Sequence, residues 1–119
     1  MAKILVVDDE PGLRLLYSEE LSEEGYEVAT ASNCAEASQL LGAQDIDLIV
    51  LDIQIKQESG LEMLQKIVRE HRDLPVILCS AYNCYKDDFS SWLADAYIVK
   101  SSDLSELKKE IAQQLMRRT

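Results

Sequence analysis

Residues 47–60 read DLIVLDIQIKQESG. The apolar run Leu48 to Leu51 stops at a carboxylate, Asp52, and a polar loop then leads to Gly60. An unbroken apolar run this short, bounded by acids and turn formers, predicts a strand buried on both faces over 47–51. Such a strand belongs in a parallel sheet covered by helices, and its carboxyl end delivers Asp52 to the sheet's rim.

The same unit repeats on either side. KILVV (residues 3–7) is a strand, followed by a helix over 11–24 with Pro11 near its start, Leu13, Leu16, Tyr17 and Leu21 on one face, and Gly25 as its C-cap. YEVAT (26–30) is a strand, and Ser32 or Asn33 caps a helix running to about residue 43. Beyond Asp52 a helix spans 59–71 with Leu61, Leu64, Ile67 and Val68 inward, and Pro75 opens the strand VILCS. A short helix over 85–94, the strand AYIVK (96–100) and a helix capped by Asp103, with Leu104, Leu107, Ile111 and Leu115 inward, complete the chain. Five βα units without linker or repeat predict an α/β fold: a doubly wound, five-stranded parallel sheet. The flavodoxin-like order 2-1-3-4-5 is a common solution and has its switch point between strands 1 and 3.

Composition agrees with one domain over residues 1–119. Apolar residues make up 47% of the chain and charged residues 29%, which excludes a disordered polyelectrolyte. The net charge of −10 argues against direct nucleic-acid contact or docking on an anionic membrane. Cys34, Cys79 and Cys84 are odd in number and lack metal-ligand spacing, which fits reduced thiols. Cys79 reads as a small core residue, and Cys84 as an exposed one without a reactive neighbourhood. The apolar run before Asp8 is far too short for a signal peptide or a membrane span, so the expected location is cytoplasmic.

The chemistry gathers at the strand ends. Asp8 and Asp9 end the first strand and Asp52 the third, which are neighbours in the expected order. A lone Asp after a strand is ordinarily a turn or cap residue. Three of them in one crevice repel one another and call for a cation, and hard oxygen ligands suit Mg²⁺ or Mn²⁺. Ser80 ends the fourth strand and Lys100 the fifth, on the same rim. An aspartate nucleophile, a divalent cation, a lysine and a hydroxyl together make a phosphoryl-transfer site.

Over almost its whole length the sequence resembles the receiver domain of two-component response regulators. The stretches that carry the resemblance are ILVVDDEPGLR, EEGYEVATASN, DLIVLDI with Gly60, PVILCSA and DAYIVK. The resemblance implies that Asp52 accepts a phosphoryl group from a sensor histidine kinase. It implies that Asp9 ligates Mg²⁺ directly, Asp8 mainly through water, and that Asp52 and the backbone carbonyl of Gln54 complete the protein's share of the shell. Lys100 would pair with the phosphoryl group or with Asp52. Ser80 and Tyr97 would move together as a switch, shifting an output surface of the fourth helix, fifth strand and fifth helix toward a downstream effector or a phosphorylation-dependent homodimer. Kinase recognition would use the first helix, where Arg14, Leu15, Ser18 and Ser22 lie off the core face, and the loop after the fifth strand.

The chain departs from the family at Lys56 and Ser101, where prolines are usual. Without that second proline, the Lys100–Ser101 bond is expected to be trans. Gln54 and Tyr82 stand at positions that tune dephosphorylation, and their bulk points to a long-lived phosphoryl group. Two other functions compete with this one. A degenerate receiver would bind partners without phosphorylation, as the missing prolines suggest, but Asp8, Asp9, Asp52, Ser80 and Lys100 are all retained. A Mg²⁺-dependent phosphatase with an aspartate nucleophile needs a general acid at position 54, where this chain has a neutral amide.

Overall fold

A computed structural model of the chain, describing residues 2–55, 58–80, 94–100 and 103–118, turns these runs into alternating strands and helices. In chain order they are β1 (Lys3–Val7), α1 (Pro11–Glu23), β2 (Glu27–Ala31), α2 (Cys34–Ala43), β3 (Leu48–Asp52), β4 (Gln54–Ile55), β5 (Glu58–Ser59), α3 (Gly60–Glu70), β6 (Val76–Ser80), β7 (Ala96–Val99) and α4 (Ser105–Arg118). The helix expected over 85–94, and with it Tyr82 and Cys84, lies outside the described residues, as do Lys56 and Ser101. The main sheet is parallel throughout and runs β2-β1-β3-β6-β7, which is the expected order.

The second strand runs one residue later than expected, over 27–31 rather than 26–30, and two further features differ from the sequence expectation. The third strand is shifted by one residue: it starts at Leu48 and includes Asp52, which pairs with Cys79 of β6. The Ile53 N–H donating to the Cys79 carbonyl at 3.1 Å carries the ladder past the acid. Asp47 instead caps the sheet's other end, its Oδ2 accepting the Lys3 N–H at 2.8 Å. Secondly, the polar loop contains a small antiparallel ribbon, with Gln54 opposite Ser59 and Ile55 opposite Glu58.

Strand alternation sends side chains to two cores. Leu5, Val7, Ile49, Leu51 and Leu78 pack with Ala37 of α2 and with Met63, Leu64 and Ile67 of α3. Ile4, Val6, Leu48, Val50, Ile77, Cys79 and Ile98 pack with Tyr17 and Leu21 of α1 and with Leu107 and Ile111 of α4. On α3, Met63 takes a central place, while Leu61 and Val68 only flank the core. Leu15 is 61% exposed, which excludes it from the core.

The helix ends follow the local chemistry. Gly25 sits at φ 94°, with its N–H on the Ser22 carbonyl and the Tyr26 N–H on the Leu21 carbonyl, a Schellman closure that needs a left-handed residue. The Asn33 side chain accepts the Glu36 N–H, the Ser59 side chain accepts the Glu62 N–H, and Asp103 accepts the Ser105 N–H.

Gly60 answers a different need. A Cβ there would stand 2.0 Å from the Asp52 carbonyl oxygen and 2.7 Å from the Ile53 Cα, so α3 begins in direct contact with the end of β3. At Gly25, by contrast, a Cβ would meet nothing within 4 Å. Gly25→Ala should therefore cost about 1 kcal/mol, for its backbone conformation alone. Gly60→Ala should cost about 3 kcal/mol, because backbone must move to make room. Urea midpoints of the two variants, at unchanged m-value, check this order.

Candidate functional site

The strand phase decides which side chains meet. Asp8 and Asp52 each lie two residues beyond an inward residue of one core, Val6 and Val50, and Lys100 lies two beyond Ile98 of the same core. The three therefore emerge on one side of the sheet at its carboxyl rim. There the Lys100 Nζ lies 2.9 Å from Asp8 Oδ2 and 2.9 Å from Asp52 Oδ2. Asp8 is 1% and Asp52 6% exposed, so both carboxylates depend on the protein for their solvation.

Burial by itself disfavours the ammonium. The hydrogen bonds to Asp52 and Asp8 outweigh that cost and hold the Lys100 pKa above the ordinary lysine value. Cys79 and Tyr17 border this ion pair on the same face. Burial pushes the Cys79 thiol up to about 12 and raises the Tyr17 phenol above its ordinary value, so both stay neutral and add no charge to the crevice.

Asp8 is held from three directions. Its Oδ2 takes Lys100, its Oδ1 accepts the Glu10 N–H at 2.9 Å, and its backbone carbonyl accepts from Arg14 Nη1 at 2.8 Å. Glu10 holds the cap position of α1 without a side-chain hydrogen bond. Arg14, read from sequence only as an off-core residue, clamps the loop that carries Asp8 and Asp9. Its place in the first turn of α1, directly after the loop that carries the acids, was the available signal.

A carboxylate oxygen from each of Asp8, Asp9 and Asp52 lies within 4.8 Å of the other two. Three oxygen donors at that spacing, on partly or fully buried residues, fit a hard divalent cation such as Mg²⁺. Ser80, 3% exposed, ends β6 beside them, and its carbonyl accepts the Lys100 N–H at 2.7 Å. Tyr97 is half-buried on β7 and packs against the other core, the one that includes Leu78. The backbone of Gln54 lies in β4, two residues past Asp52. All the sequence-selected residues thus lie at one rim of the sheet, with Tyr97 set back along β7.

In a parallel doubly wound sheet ligands bind beyond the carboxyl ends of the strands at the switch point, and there this chain carries clustered acids and a partnered lysine. The chain matches the response regulator receiver domain family over residues 4–112. It is 46% identical to the response regulator TrrA of Thermotoga maritima, solved in complex with Mg²⁺–BeF, with a TM-score of 0.92 over 96% of this chain and 99% of TrrA. TrrA bound to the histidine kinase ThkA matches with a TM-score of 0.90 over 97% of this chain and 99% of that one, at 47% identity. The probable transcriptional regulatory protein TcrX of Mycobacterium tuberculosis is 35% identical over 98% of this chain and 50% of its own length. The DNA-binding transcriptional regulator NtrC of Rhizobium meliloti is 35% identical over 89% of this chain and 22% of its own length. The chain spans half or less of those two regulators. It belongs to the response regulator receiver domain family.

Removing the lysine tests the electrostatics of the crevice. Lys100→Met leaves two buried carboxylates without their cation and should cost about 3 kcal/mol in metal-free buffer, with part recovered by adding Asp52→Asn. Because the folded pKa of Lys100 is raised, its contribution is complete below the unfolded value of about 10.4 and is lost as pH climbs through the folded value. The difference between wild type and Lys100→Met in urea melts should therefore stay level from pH 7 to 9 and shrink only above about 10.4.

Proposed function

We propose that the chain, as a single receiver domain over residues 1–119, accepts a phosphoryl group on Asp52 from a sensor histidine kinase and passes the signal to an effector. The observation that carries this reading is the placement of Asp52: a buried carboxylate at the end of the central strand, clustered with Asp8 and Asp9 and 2.9 Å from Lys100. An Asp52 oxygen attacks phosphorus, and the phosphoryl group leaves the kinase imidazole for the carboxylate. Lys100, already paired with Asp52, is placed to neutralise the added negative charge.

The Ser80 hydroxyl is the donor for a phosphoryl oxygen, and Tyr97 follows it inward, favouring the active one of two pre-existing conformations. Asp8, Asp9, Asp52 and the backbone carbonyl of Gln54 would hold Mg²⁺ or Mn²⁺. Bound there, the ion offsets charge on the transferring phosphoryl oxygens. The domain is a phosphoacceptor that assists its own modification rather than a turnover enzyme, and it works in the cytoplasm. Among the described residues no helix is long and apolar enough to cross a membrane.

Two experiments test the reading. With Mg²⁺ and acetyl phosphate, the intact mass should rise by one phosphoryl group, and Asp52→Asn should abolish the increment. Absence of any adduct from wild type would remove the proposal. For the partner, the exposed Leu15 on α1 is the candidate contact. Leu15→Asp should slow transfer from phosphorylated ThkA while leaving labelling by acetyl phosphate unchanged; equal loss with both donors would exclude a docking role.

A further inference from the structure

The segment joining Asp52 to α3 has the composition of a solvent loop, yet its described residues are held at several points. Gly60 closes it, donating its N–H to the Ile53 carbonyl at 2.5 Å and lying so close to Asp52 that even a methyl group would collide with the carbonyl there. Gln54 and Ile55 pair across the ribbon with Ser59 and Glu58. Ile53 is 4% exposed and Ile55 0%, and both belong to the core built on Met63, Leu64 and Ile67 of α3. The backbone of residue 54 is thus flanked by two buried anchors and cannot shift unless one of them leaves the core.

We propose that Ile55 is a positioning residue for the cation site, fixing the backbone of residue 54, whose carbonyl the proposed site includes. The inference rests on the reading of Asp8, Asp9 and Asp52 as a Mg²⁺ site. A neutral carbonyl brings little charge to a cation, so its value as a ligand lies in being in place beforehand. Burying Ile55 does this through packing, and the ribbon pairing and the Gly60 N–H on the Ile53 carbonyl hold residues 53 and 54 beside that anchor.

The competing role for Ile55 is plain core stability, and calorimetric Mg²⁺ titration of the whole chain separates the two. Ile55→Ala should raise the Mg²⁺ dissociation constant about tenfold, with Ile55→Val between it and wild type. Ile111→Ala, which truncates an equally buried side chain in the opposite core, should leave the constant unchanged. Circular dichroism establishes that each variant is folded, and Ile55→Val serves if the alanine variant is not. Equal affinity in wild type and any folded Ile55 variant overturns the positioning role. A wild type that binds no Mg²⁺ overturns the site reading itself, and the inference falls with it.

Discussion

The Lys100 ammonium, bonded at once to Asp8 and Asp52, is the interaction on which the rim of this sheet depends. A parallel sheet buried on both faces sends its strand ends to common rims, and here two adjacent strands bring carboxylates that are almost wholly out of water. Without a counter-charge that rim would oppose folding. Lys100 arrives from β7, separated from β3 by β6, so its side chain must pass over the end of β6. The residue of β6 in register with Asp52 on one side and Ile98 on the other is Cys79. A small, neutral thiol leaves room for the lysine and adds no charge, which accounts for a cysteine whose value lies in its size.

The two cores divide the labour of the site. Asp8, Asp52 and Lys100 are in phase with the core under α1 and α4, whereas Ser80 follows Leu78 in the phase of the core under α2 and α3, where Tyr97 also packs. A phosphoryl group on Asp52 that draws in the Ser80 hydroxyl would therefore link side chains that belong to opposite faces. Such a link gives a chemical event at one rim a route to packing on the far side of the sheet.

Much of this was legible in the sequence because strand ends are easy to read. Unbroken apolar runs gave the five strands, crossover handedness limited their order, and the acids and the lysine appeared where the runs stopped. What escaped depends on tertiary contact. QIKQES looks like solvent loop by composition, and nothing local shows that Ile55 turns into the core while its neighbours pair as a ribbon. Leu61 and Val68 on α3 are as apolar as Met63, yet Met63 is the more deeply buried. Gln114, on α4, is only 4% exposed: its amide reaches Glu110 one turn back on the same helix and the Asp95 carbonyl, a partner that helical periodicity cannot supply. Arg14 reads as a surface cation until its guanidinium is seen on the Asp8 carbonyl.

The contact at Gly60 also limits how the domain can respond. The Asp52 carbonyl abuts the first residue of α3, so the Asp52 main chain has no slack on that side. Asp8 is equally restrained, through the Glu10 N–H and Arg14. On the proposed reading, a phosphoryl group on the Asp52 carboxylate would be accommodated by side chains that can turn without moving backbone: Lys100, Ser80 and the half-buried Tyr97. All three belong to β6 and β7 or follow them directly, so the stiffness around Asp52 and Asp8 would direct such a response toward the far edge of the sheet.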